Sequence, residues 1–178
     1  MSEQCSLYIK VRISKEDLDA FLKARPIAST INSNWLEWWE SRVMHSKMDL
    51  KNIPAYIVPT NGDFLEDILE DKYIVARQAY KDGYWYLLGL QFSENYTEIL
   101  PMISWIKDLA AHLEPDAKGV AFIYDYLWGD KTVMAYIEIS EKLGKLSRTS
   151  RTTEINQEIL KEANEMFENL LNSLEDKD

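Results

Sequence analysis

Along SLYIKVRI, apolar Leu7, Ile9, Val11 and Ile13 alternate with Tyr8, Lys10 and Arg12, the period-two pattern of a strand with one buried face. Ser14 followed by Lys15, Glu16 and Asp17 reads as a helix N-cap with acids in the first turn, and Leu18, Phe21 and Leu22 recur at helical spacing before Pro26 stops the run. Residues 26–33 read as a loop. Asn34 then caps NWLEWWESRVM, whose spacing sets Trp35, Trp38 and Trp39 on one helical face. Such a stripe is most often core; the functional alternative is an aromatic anchor for a partner, since tryptophan is enriched at interface hot spots. AYIV, bracketed by Pro54 and Pro59, fits an edge strand. After the Asn61-Gly62 turn signal, Asp63 opens DFLEDILED, with Asp63, Glu66, Asp67 and Glu70 at i, i+3, i+4 and i+7 opposite Phe64, Leu65, Ile68 and Leu69. Four like charges on one stripe disfavour the helix by a few tenths of a kcal/mol per neighbouring pair. They are either a solvated face whose first acids complement the helix dipole or a surface kept for a partner.

The stretch from Tyr73 to Ile139 organises the rest, because it reads as strand, turn, strand, helix, strand, turn, strand. KYIVARQAY and YWYLLGLQF flank Asp82-Gly83, a pair suited to a tight hairpin. The second of these strands is apolar on both sides and belongs inside its sheet. A helix from about Thr97 carries Ile99, Leu100, Ile103, Ile106, Leu109, Ala110 and Leu113 on one stripe, with Pro101 in its first turn. GVAFIYDYLW and TVMAYIEI form the second hairpin around Gly129-Asp130, with Val120, Phe122, Tyr124, Tyr126 and Trp128 sharing a face on one strand and Val133, Ala135, Ile137 and Ile139 on the other. Residues 141–152 read as a basic connector carrying Lys142, Lys145, Arg148 and Arg151, and 153–174 as a final amphipathic helix before a frayed EDKD tail. The pattern predicts one α+β domain over 1–178, an antiparallel sheet of about five or six strands built from two hairpins, with helices mainly on one face.

At 178 residues and 46% hydrophobic, the chain is ordinary for one globular domain. Thirty acids against twenty bases give a net charge of −10, a field that repels phosphate backbones and anionic membrane surfaces and so disfavours direct nucleic-acid or membrane binding. No window is apolar enough for a membrane helix and the first residues lack a signal peptide's apolar run, so a cytoplasmic location is expected.

Candidate chemistry is sparse. Cys5, the single cysteine, lies at what reads as a mobile terminus and cannot combine with His45 and His112 into a cysteine-rich zinc site. Both histidines fall late in helices, where the C-terminal dipole accounts for them. Neither a nucleophile elbow nor a glycine-rich phosphate loop is present, and Asp125, between Tyr124 and Tyr126, is the one acid whose surroundings suggest a raised pKa, although a solvent-facing strand acid explains it as well. Neither cofactor nor metal is expected, nor a catalytic set.

A small acidic α+β protein with the acid stripe Asp63, Glu66, Asp67 and Glu70 and the tryptophans Trp35, Trp38 and Trp39 resembles the immunity proteins of bacterial toxin systems, including contact-dependent growth inhibition. That resemblance implies a non-enzymatic inhibitor that binds and occludes a cognate protein toxin, a basic one and often a nuclease, through acidic and aromatic surface. A secretion-type chaperone and an acidic phage-type charge mimic are the alternatives. The chaperone pattern departs from this chain, which opens with a strand, and a charge mimic would carry a denser, more regular acid pattern.

Overall fold

The computed structural model describes residues 3–176. Its frame is one antiparallel sheet of six strands in the order β2-β3-β1-β4-β5-β6: β1 (Cys5–Arg12), β2 (Val75–Lys81), β3 (Tyr84–Ser93), β4 (Gly119–Tyr124), β5 (Val133–Ser140) and β6 (Leu143–Leu146). The two hairpins meet through β1, which pairs with β3 on one side and β4 on the other. The opening strand therefore joins two halves that are far apart in sequence.

Four helices, α1 (Lys15–Lys23), α2 (Ser33–Ser41), α3 (Asn61–Leu69) and α4 (Tyr96–Ala111), cover one face of the sheet, and α5 (Gln157–Glu175) covers the other. Leu7, Ile9 and Val11 pack under the four helices, while Tyr8 is fully buried on the opposite side with Phe122, Tyr124 and α5's Phe167. Hence β1 is buried on both faces rather than one. Its polar groups are absorbed by α5: the Tyr8 hydroxyl donates to Glu162 at 3.1 Å and Lys10 pairs with the same carboxylate at 2.8 Å, while from neighbouring β4 the Tyr124 hydroxyl donates to Asn164.

Local chemistry sets the element ends. Ser14 caps α1 by accepting from the Asp17 N–H. The α2 cap is Asn32, not Asn34, and accepts from the Trp35 N–H; Asn34 instead donates to the Leu146 carbonyl and accepts from the Leu146 N–H. Thr60 and Asp63 form a capping box that starts α3 before Asn61-Gly62, so the supposed turn is the helix's first turn. There Asn61 is buried and donates to the Phe21 carbonyl. Pro101 falls in the second turn of α4, and the last helix starts at Gln157 behind a short 3-10 turn, Thr152–Glu154, four residues later than periodicity places it. Of the EDKD tail, Glu175 ends α5 and Asp176 caps it, while Lys177 and Asp178 lie outside the described residues.

Three strand readings change. AYIV is not a strand: residues 43–59 form an irregular strap against the helical layer, with Ile53 buried and the Tyr56 ring stacked on Phe64 at 3.7 Å. The bracketing prolines lack the N–H groups that a ladder needs. The sixth strand is β6, inside the basic stretch, reached from β5 by a turn at Glu141-Lys142 with both residues at positive φ. The β4–β5 connection is longer than a tight hairpin, because the Asp125 carboxylate accepts from the Trp128 and Asp130 N–H groups and closes a loop that takes Tyr126 and Trp128 out of the ladder. A bulge opposite Tyr124 also breaks the alternation, so Val133 faces α5 while Ala135, Ile137 and Ile139 face the other helices.

Candidate protein-binding face

The fold separates the stripes proposed for partner binding. Trp35 and Trp38 are each 1% exposed, as a core stripe would be, and lie edge to face with centroids 6.0 Å apart. Trp39 is half-buried, and its indole Nε1 donates to the Met48 carbonyl at 2.8 Å, tying the strap to α2. Asp63 is committed to the cap, accepting from the Thr60 N–H and hydroxyl. Glu66, Asp67 and Glu70 are exposed.

Trp39 and Asp67 line two clefts that meet at Thr97, near the start of α4. The larger, of about 710 Å³, lies between the strap and α4 and is lined by Trp39, Met48, Tyr96 and Leu100 together with Asp49 and Glu94. The smaller, of about 340 Å³, lies where the strap passes α3 and α4 and is lined by Tyr56 and Phe64 with Asp67, Asp71 and Glu98. Among the described residues, Lys51 is the one cationic residue lining either cleft, against five carboxylates. Near them Val43 is 98% exposed, Met48 78% and Ile57 101%. Carboxylates beside uncovered aliphatic side chains can steer a basic surface inward and then hold it by apolar burial. The strap was the least patterned part of the sequence, and its advance signals were Pro54, Pro59 and the apolar AYIV between them.

The other candidate groups have structural work. Cys5 is not terminal and mobile but buried in β1, and burial, with Asp125 and other carboxylates nearby, pushes its thiol up to about 12, the inert regime for a cysteine. Asp125 closes its loop as described. His112 caps α4 with Nδ1 3.0 Å from the Asp108 carbonyl, and His45 is exposed beyond the end of α2. Among the described residues no group of three or more His, Cys, Asp or Glu side chains could hold a metal ion, and no helix is long and apolar enough to cross a membrane.

Two cations, Arg42 buried and Lys107 half-buried, escaped notice in the sequence. Arg42 is 4% exposed and donates to the carbonyls of Val133, Met134, Arg148 and Thr149, so one guanidinium fastens the end of α2 to β5 and to the basic segment. Lys107, from α4, donates to Asn34 and to the Gly144 carbonyl and sits 5.2 Å from the Trp35 ring centre. Burial lowers its pKa to about 8. Arg148 and Arg151 are exposed, so the basic stretch is part strand and part surface rather than a plain connector.

No family model matches this chain, and neither a curated protein nor a solved structure does.

Proposed function

We propose that the protein is a non-enzymatic, protein-binding inhibitor of the immunity type, which neutralises a basic cognate toxin by occluding it. The observation that carries this reading is the union of the two acid-lined clefts with the uncovered side chains Val43, Met48 and Ile57. Uncovered aliphatic surface next to uncompensated carboxylates suits a partner that brings both positive charge and apolar area. Trp39, at the rim of the larger cleft, is the tryptophan of the stripe still able to touch a partner.

The test is co-expression with the product of the adjacent gene. An immunity protein gives a stable equimolar complex and restores growth to cells carrying the toxin; absence of both sinks the reading. Recovery as a dimer that binds an extended segment supports a secretion chaperone instead, and competition with DNA for a DNA-binding enzyme supports a charge mimic.

A further inference from the structure

We propose that the smaller cleft, bounded by the strap, α3 and α4, receives an arginine side chain projecting from the protein partner. The proposal rests on the protein-binding reading and names the chemistry of its anchor. Three carboxylates, Asp67, Asp71 and Glu98, line a space of about 340 Å³ that no lysine or arginine among the described residues lines. None of the three takes part in an ion pair among the described residues, and they do not form a metal-holding group. One oxygen of Asp71 already accepts from the Tyr73 and Ile74 N–H groups at 2.7 and 2.9 Å, which fixes that carboxylate in place.

A second observation is independent of the acids. The Tyr56 hydroxyl is buried at this cleft and has no hydrogen-bond partner among the described residues. Burial, with a contribution from the Glu98 charge, raises its pKa, so the phenol stays protonated and its oxygen keeps an acceptor site. An orphaned buried polar group costs about 1–3 kcal/mol, and a ligand donor reaching it removes that cost. The Tyr56 ring lies 3.7 Å from Phe64 at an interplanar angle of 15°, so it is held flat. A planar cation with five N–H donors in a fixed fork can approach the phenol oxygen edge-on and reach the carboxylates at the same time, which a compact ammonium matches less well.

Isotope-labelled protein is titrated, at constant ionic strength, with N-acetyl-argininamide, N-acetyl-lysinamide and the neutral isostere N-acetyl-citrullinamide, and backbone amide shifts are followed. The arginine compound should give saturable shifts at Phe64, Asp67, Ile68, Thr97 and Glu98. Tyr56→Phe should weaken its binding severalfold, and the double variant Asp67→Asn/Glu98→Gln should abolish it. Equal saturation by the lysine or citrulline compound overturns the proposal, as do unsaturable shifts over the whole acidic surface or indifference to the double variant. A toxin bound as tightly by the double variant as by the wild type overturns the arginine anchor and leaves the inhibitor reading intact; arginine binding without any toxin complex supports the anchor and counts against the inhibitor.

Discussion

The nine-residue helices α2 and α3 carry equally regular stripes, yet the fold uses them in opposite ways. The Trp35 and Trp38 stripe turns into the helical layer, whereas Glu66, Asp67 and Glu70 remain in solvent while Leu65 and Ile68 are buried behind them. Periodicity states which residues share a face; the cost of leaving that face in water decides which way it turns. An indole buries some 150–250 Å², while an unpaired carboxylate resists burial by far more than a helix of this length can supply. Aromatic and acidic stripes of one length are therefore not equivalent candidates for a surface role.

The largest break in this contrast comes from α2. Trp38→Ala should destabilise the fold by about 3–5 kcal/mol, because it empties a fully buried site; Trp39→Ala, half-exposed, should cost clearly less. Chemical denaturation with both variants compares them, and equal losses would mean that Trp39 is as much core as its neighbour. Next in size is the cap of α3. Asp63→Ala removes the acceptor for the Thr60 N–H and hydroxyl and should cost about 1 kcal/mol, separating Asp63 from the other three acids of its stripe. A loss no greater than that of Glu66→Ala would return it to the solvated face.

Much of this frame was readable in residues whose alternatives are expensive. The hairpin around Asp82-Gly83 was legible because both turn residues take positive φ, and α1 because Ser14, the acids and Phe21 all agree. Where two local signals conflicted, the reading failed: Asn61-Gly62 looks like a turn, yet Thr60 and Asp63 cap a helix through it, and LGKL in a basic stretch looks like linker, yet pairing with β5 makes it a strand. The expectation of about five or six strands held while one member changed, because β6 took the place given to AYIV. At the candidate face, Trp39 and Asp67 were legible as members of stripes. Tyr56, Met48 and Ile57 were not, since the strap follows no period and its exposure depends on how α2 and α3 hold its ends. Arg42 and Lys107 were hidden for a related reason: their partners are mainly backbone carbonyls, which every residue has.

Lys107 tests the inward stripe from a second direction, because its amine lies over Trp35. With a folded pKa of about 8 against an ordinary 10.5, the unfolded chain binds more protons between those values, so this group makes stability rise as pH rises through that window. Cys5 works in the opposite sense: its thiol, raised from 9.0 to about 12, keeps its proton in the fold and costs stability as pH climbs above 9. The difference between wild type and Lys107→Met isolates the lysine. Denaturation midpoints at pH 7 and pH 9 should show a more positive change in the wild type, by less than the shift of one full proton; an identical pH dependence would mean that the amine is hydrated.

The smallest expected effect on stability is the most informative about binding. Glu66→Lys/Glu70→Lys reverses two exposed acids that line neither cleft, so folding free energy should move by no more than about 0.5 kcal/mol. Against the toxin proposed above as the partner, the same double variant should slow association and flatten its salt dependence while dissociation stays nearly constant, since remote exposed charge acts on encounter and not on the docked contact. Asp67→Asn/Glu98→Gln, within the cleft, should instead speed dissociation. If both pairs change the same rate constant, α3's outward stripe and the cleft behind it form one electrostatic surface, and the distinction between steering and anchoring fails. If the α3 reversal changes neither rate, the stripe is simply the hydrated back of a helix whose apolar side, like that of α2, belongs to the core.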